Sequence, residues 1–233
     1  MTIRAVRAYR SVSFRAAVAL AGMIPLDLQA AAKAKVYRRV WRLKLNGDVP
    51  WEEIVNLRKV ARNRALRKWK AELEGSGAGR KRMIGAVLAN WDQWQGCARR
   101  PGLTYRVTQV LTGHGCFGEF LRRIGAEHSA ECFECGAEVD SAQHTVEACP
   151  AFAEQRSELR RAIGDDLSPT ALIRALITGE RQRKAVITFC EEVMTHKEAK
   201  ERSRKRIDPA RRERRRQAAA GRRVRGPTGS RAS

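Results

Sequence analysis

The sequence has no apolar run long enough to cross a bilayer. Its most hydrophobic stretch, Ala16 to Ile24, lies between Arg15 and Pro25, far short of the about 20 residues a spanning helix needs. No membrane partner is expected. The opening Thr2-Ile3-Arg4-Ala5-Val6-Arg7 lacks the apolar core of a secretory signal and is at most the basic start of a transit peptide. Acidic residues are scarce too: 25 Asp and Glu face 47 Lys and Arg, for a formal charge of +22. That excess is more than solubility requires and favours a polyanionic partner, nucleic acid first. Histidine is rarer still, at four residues, and cysteine numbers six. One His and three Cys fall at metal-ligand spacing, so a reducing compartment is a better reading than three disulfides.

What is present is mostly helical pattern. The 43% apolar content can build a core in one or two domains. Apolar spacing predicts helices over Ile3–Leu20, ended by Gly22 and Pro25, over Leu26–Leu45, and over Trp51–Glu74. The last two have basic residues on their polar faces, which read first as solvated surface and second as a phosphate-facing strip. Residues 75–80, with Gly75-Ser76-Gly77-Ala78-Gly79, read as a flexible joint after a helical segment 1–74. A second helical segment, 81–128, holds Met83–Trp94 and two short helices within Leu103–Ile124, separated by Gly113-His114-Gly115. After a zinc-binding stretch at 129–151, helices are predicted over Phe152–Ile163, over Ser168–Ile177 with Ser168 as cap and Pro169 in the first turn, and over Ala185–Met194, within a segment 152–200. From 201 to 233, 13 Lys and Arg stand against 3 acids, a composition that predicts a disordered tail. Its blocks Arg211-Arg212 and Arg214-Arg215-Arg216 suit phosphate contacts whose counterion release makes binding salt-sensitive, or a nuclear address.

The pattern C-x2-C-x8-H-x4-C, formed by Cys132, Cys135, His144 and Cys149, carries the most specific chemistry. Three thiolates and an imidazole suit tetrahedral zinc, and with no open position for a reactive water the metal is read as structural. Gly136 follows the second thiolate where the loop must fold back around the metal. Phe133, between the thiolates, could stack on a base, with Arg122 and Arg123 upstream as phosphate contacts. His114 and Cys116 could build a second site with Cys97 or His128; the simpler reading is that His114 bonds the backbone and Cys116 packs as a small apolar group. Cys190, beside Phe189, and the tryptophans Trp41, Trp51, Trp69, Trp91 and Trp94 read as core.

Two segments resemble the C-terminal part of the Pol protein of non-LTR retrotransposons, most of all type-1 elements that insert into insect ribosomal DNA. One runs from Val110-Leu111-Thr112-Gly113-His114-Gly115-Cys116-Phe117-Gly118-Glu119-Phe120-Leu121 through the zinc motif to Ala142-Gln143-His144-Thr145-Val146-Glu147-Ala148-Cys149-Pro150. The other comprises Ala8-Tyr9-Arg10-Ser11-Val12-Ser13 and Leu20-Ala21-Gly22-Met23-Ile24-Pro25-Leu26-Asp27-Leu28. Phe189-Cys190-Glu191-Glu192-Val193-Met194 before an Arg-rich end is similar as well. The resemblance implies a mainly α fold: helices that follow a reverse-transcriptase thumb, a Cys3His zinc knuckle and a basic tail, as the C-terminal piece of a longer protein. It carries over the four zinc ligands and no polymerase residue. The parent would perform RNA-directed DNA synthesis with Mg2+ and cut its target with an endonuclease, in the nucleus. This piece would hold element RNA or target ribosomal DNA, with no small-molecule substrate of its own.

No catalytic residue is identifiable here. The paired aspartates a polymerase needs for two metal ions have as sole candidate Asp165-Asp166, which precedes Leu167-Ser168-Pro169 as a capping segment. A nuclease built on Glu147, Asp165 and Asp166 is a minor alternative, and Asp208-Pro209 reverses the Pro-Asp order of related nucleases. The other alternative is a zinc-dependent protein-interaction module with a nuclear-localisation tail.

Overall fold

A computed structural model describes residues 6–75, 82–97 and 103–207. The chain divides into two compact units, Met1–Arg100 and Pro101–Ser233. Helices form both, and no strand occurs among the described residues.

The first unit contains α1 (Phe14–Leu20), α2 (Leu26–Lys44), α3 (Trp51–Gly75), α4 (Arg82–Ala89) and α5 (Trp91–Gly96). Of the helix expected over Ile3–Leu20, the described residues form only Phe14–Leu20. Ser13 accepts the Ala16 amide at 3.3 Å and caps it, while upstream the Val12 amide turns back to the Tyr9 carbonyl and Arg7 sits at φ 51. These local bonds compete with helix. Ala17, Val18, Ala19 and Leu20 are buried, and α1 packs on α4. The single helix expected over Met83–Trp94 is two. Asn90, at φ −114 and ψ 21, breaks it by donating its side-chain amide to the Ala86 carbonyl at 2.9 Å. Trp94 then donates its indole N–H to the Ala19 carbonyl, 3.1 Å away. Helices α2 and α3 pair as a hairpin, but α2 buries only Leu28, and the buried residues of α3, Ala65, Trp69 and Leu73, lie in its second half. Most of the joint expected at 75–80 falls outside the described residues.

The second unit contains α6 (Tyr105–Thr112), α7 (Gly118–Arg123), α8 (Ala142–Glu147), a 3-10 turn (Pro150–Phe152), α9 (Ala153–Ile163), α10 (Pro169–Thr178) and α11 (Glu180–Ile207). Thr104, Ser141 and Ser168 cap α6, α8 and α10 by accepting the amides of Val107, His144 and Ala171, as such residues do. Gly113 ends α6 in the left-handed region at φ 67. Helix α11 is the spine against which α6, α9 and α10 pack. It continues well past the expected end at Met194, and past residue 201, where a disordered tail was expected to begin. Glu201 explains the extension: it is buried, accepts the Cys116 thiol at 2.8 Å and pairs with Lys205 at 2.7 Å. Residues 208–233 lie outside the described residues. None of the described helices is long and apolar enough to cross a membrane.

Candidate metal centre

Cys132 and Cys135 sit on a tight loop. The Gly136 amide donates to the Cys132 carbonyl at 2.7 Å, and the Cys132 amide to the Ala137 carbonyl at 2.8 Å. Gly136 adopts φ 76, the conformation that reverses the chain at the least steric cost without a Cβ. The amides of Glu134 and Cys135 donate to the Cys132 sulfur. His144 projects from α8, and Cys149 follows that helix, its amide donating to the His144 carbonyl at 2.8 Å.

The four ligand atoms lie within 4.8 Å of one another. Cys132 Sγ is 3.9 Å from Cys149 Sγ, and Cys135 Sγ is 3.3 Å from His144 Nε2. With Zn–S about 2.3 Å and Zn–N about 2.0 Å, the edges of such a tetrahedron are about 3.5–3.8 Å. The donor set therefore fits a metal ion, and all six cysteines are free thiols. Burial pushes the Cys149 thiol up to about 12 and raises Cys132 too, so charged sulfur here calls for a neighbouring cation. Burial also lowers His144, towards the neutral imidazole that ligates.

A buried polar framework that the sequence did not reveal fixes this centre to the spine. Lys197 of α11 and Asp140 are 3% and 2% exposed, and Lys197 Nζ donates to both Asp140 oxygens at 2.9 Å. Asp140 also accepts the Gly118 amide at 2.9 Å and the Thr145 hydroxyl at 3.2 Å. One carboxylate thus ties α7, α8 and α11 together. Gly118 also lets the backbone leading into the Cys132 loop pass close by: a Cβ there would lie 2.5 Å from the Ala130 carbonyl oxygen and 2.7 Å from that of Glu131. Lys197 also lies 5.7 and 5.8 Å from the ring centroids of Phe117 and Phe152. Buried Arg156 of α9 donates to the carbonyls of Val146, Thr145 and Cys149, which closes the C-terminal end of α8 behind two ligands. On the loop itself, Glu134 accepts from His196 at 2.9 Å and Lys200 at 2.6 Å. Burial works against its charge, but the hydrogen bonds from Lys200 and His196 outweigh that and hold the carboxyl below its usual value.

Curated proteins similar to the chain carry one kind of name. The Retrovirus-related Pol polyprotein from type-1 retrotransposable element R1 4 of Nasonia vitripennis is 31% identical over 188 residues, which cover 75% of this chain and 45% of that protein. Its counterpart from element R1 of Popillia japonica is 30% identical over 118 residues, or 51% and 44% of the two chains. A third, from element R1 2 of Nasonia vitripennis, is 26% identical over 155 residues, or 64% and 37%. The chain is a relative of type-1 retrotransposon Pol polyproteins. It spans less than half the length of these relatives. No family model matches it, and no solved structure does.

In this Pol-related chain the other candidates are dispersed. Phe133 is 40% exposed, with the Arg204 guanidinium 3.8 Å over its ring. Arg122 and Arg123 are exposed in the last turn of α7, Arg123 lying over Phe120. Arg211, Arg212, Arg214, Arg215 and Arg216 lie outside the described residues, as does Asp208-Pro209. His114 Nδ1 donates to the Thr112 carbonyl at 2.9 Å and Cys116 is committed to Glu201, which agrees with their non-ligand reading. Asp166 accepts the Ser168 amide at 2.9 Å as a capping group, and Asp165 is exposed near Arg160. Neither these two nor Glu147 belongs to the metal-binding group. Cys190, Trp69, Trp91 and Trp94 are core as expected, whereas Trp41 and Trp51 are 56% and 61% exposed.

Proposed function

We propose that this chain is a nucleic-acid-binding part of a retrotransposon Pol polyprotein, in which Cys132, Cys135, His144 and Cys149 hold a structural zinc ion. The convergence of those four ligand atoms carries the reading. The ion would cross-link the loop to α8 and supply fold stability rather than a reactive water. The protein's own groups do the rest. Arg156, Asp140 and Lys197 set the position of the ligands from behind, and Glu134 anchors the loop to α11. Phe133 then stands at the surface under Arg204, in the last turn of α11, which also carries Lys205 and Arg206. An unpaired base would stack on the open side of Phe133 or displace Arg204, while those cations, Arg122, Arg123 and the Arg block 211–216 would meet phosphates.

The ligand would be element RNA or the ribosomal DNA target, within a parent that carries Mg2+-dependent reverse transcriptase and an endonuclease and works in the nucleus. The type-1 retrotransposon Pol relatives support that parentage.

The test is zinc content, with affinity for single-stranded RNA and duplex DNA at low and moderate salt, for the wild type and Cys135→Ser. About one zinc per chain is expected, with binding that weakens by about 0.9 log unit per log unit of salt for each duplex phosphate neutralised. Cys135→Ser should weaken binding about tenfold. Salt-insensitive binding, or full binding by a zinc-free chain, would reject the reading. The second result, combined with loss of nuclear import when 201–233 are deleted, would instead favour a protein-interaction module with a nuclear address.

A further inference from the structure

The α2–α3 hairpin of the first unit leaves uncovered a face that its own fold does not use. Tyr37, Trp41 and Leu45 of this stretch are 72%, 56% and 65% exposed, and Trp51, at the start of α3, is 61% exposed. Tyr37 and Trp41 are one turn apart on the same side of α2. Between the helices runs a cleft of about 620 Å³ with Val36, Val40, Ile54 and Ala61 among its apolar lining. Every charged residue that lines it is a cation: Lys33 and Lys44 from α2, Arg58 and Arg62 from α3. None of the four has a carboxylate partner among the described residues. Arg58 instead holds its guanidinium 5.2 Å from the Trp51 ring centroid.

An apolar floor alone would suit any hydrophobic partner. The cations select an anionic one, and α2 offers it little repulsion, with Asp27 as its one acid, near its start. The exposed aromatic rings narrow the choice further. An acidic peptide would satisfy the cations but make little use of three large rings, whereas a single strand presents bases to stack and, a few ångströms away, phosphates to pair. A duplex keeps its bases stacked on each other and would leave the rings unused.

We propose that the α2–α3 face is a second nucleic-acid site, selective for single strands, in which Tyr37, Trp41 and Trp51 stack on bases while Lys33, Lys44, Arg58 and Arg62 hold the backbone. The proposal rests on the nucleic-acid reading above for its class of ligand, but uses none of the knuckle's residues.

The probe is a 15-nucleotide oligouridine containing 4-thiouridine, bound to the full chain in wild-type, Cys135→Ser, and Trp41→Ala/Trp51→Ala forms. Photo-crosslinks mapped by mass spectrometry should fall between residues 33 and 62 in the wild type and persist in Cys135→Ser. The double variant should bind about tenfold more weakly, with duplex affinity unchanged and helicity by circular dichroism intact. Crosslinks confined to residues beyond 102, with overall binding retained, would overturn this site and leave the knuckle reading standing. Absence of binding by any form would overturn both. A polyglutamate peptide that displaces the probe equally well from the wild type and the double variant would mark the face as a protein-docking surface and reject the proposal.

Discussion

The two units bury polar groups to very different degrees. In the second, a Lys–Asp pair almost without solvent access and an Arg spent on three backbone carbonyls back the Cys3His group, and a further thiol is bonded to a buried Glu. In the first, the core is apolar and small, made of residues such as Leu20, Trp69, Leu73, Ile84 and Val87, and the longest helical pair contributes little to it. Helices near 20 residues can hold themselves together partly by propensity and pairing along one face. Short ones cannot. Helices α7 and α8 have six residues each, so their positions depend on caps, on Asp140 and, in the proposed reading, on the zinc ion. One unit therefore spends its sequence on fixing a small site, the other on displaying a long surface.

Metal removal should separate the units most. Zinc bound by small knuckles is worth about 10–16 kcal/mol at neutral pH, more than the short segments around His144 could replace. With excess chelator, amide hydrogen exchange read by mass spectrometry should show lost protection across residues 118–152, while Ala17–Leu20 and Ile84–Val87 stay protected. Equal loss in both units would mean that the ion supports the first unit as much as the second.

Next in size is Lys197→Met. It removes the cation and leaves Asp140 buried without its charge partner, a change that costs about 3–5 kcal/mol. Urea unfolding of the second unit should shift accordingly. The double variant Lys197→Met/Asp140→Asn should recover part of the loss, because the amide still accepts the Gly118 N–H without carrying a charge. No recovery would mean that the methylene packing of Lys197 against Phe117 and Phe152, not its charge, matters most.

The same contrast decides what could be read from the sequence. The convergence of Cys132, Cys135, His144 and Cys149 was legible because it is local: the C-x2-C pair and its glycine form one turn, and His144 lies in the short helix that Cys149 follows. Helices α2, α3 and α10 were legible from apolar spacing and from Ser168-Pro169. Asp140 and Lys197 were not. They lie 57 positions apart, and nothing in either neighbourhood distinguishes a buried Lys from the many solvated ones. Arg156 was hidden for the same reason within a helix rich in Arg. The exposure of Trp41 and Trp51 escapes the sequence because period alone does not say whether an apolar stripe has a partner; α2 buries only Leu28, and Trp51 opens α3 well ahead of that helix's buried residues Ala65, Trp69 and Leu73. The breaks at Ser13 and Asn90 depend on single side-chain bonds to the backbone, below what spacing resolves.

The smallest expected effect tests the displaying half of the comparison. Tyr37→Ser removes a large ring, and in a core that would cost several kcal/mol; at a side chain mostly in water, in a helix whose buried residue is Leu28, thermal or urea stability should move by no more than about 0.5 kcal/mol. Serine is a slightly weaker helix former at best, so propensity offers no hidden compensation. A loss above about 2 kcal/mol would show that the ring is packed in solution and that the α2–α3 face is covered by this chain itself. An unchanged stability would mean that a ring as costly to expose as Tyr37 is kept at the surface without helping the unit fold, which leaves contact with something outside the unit as its use.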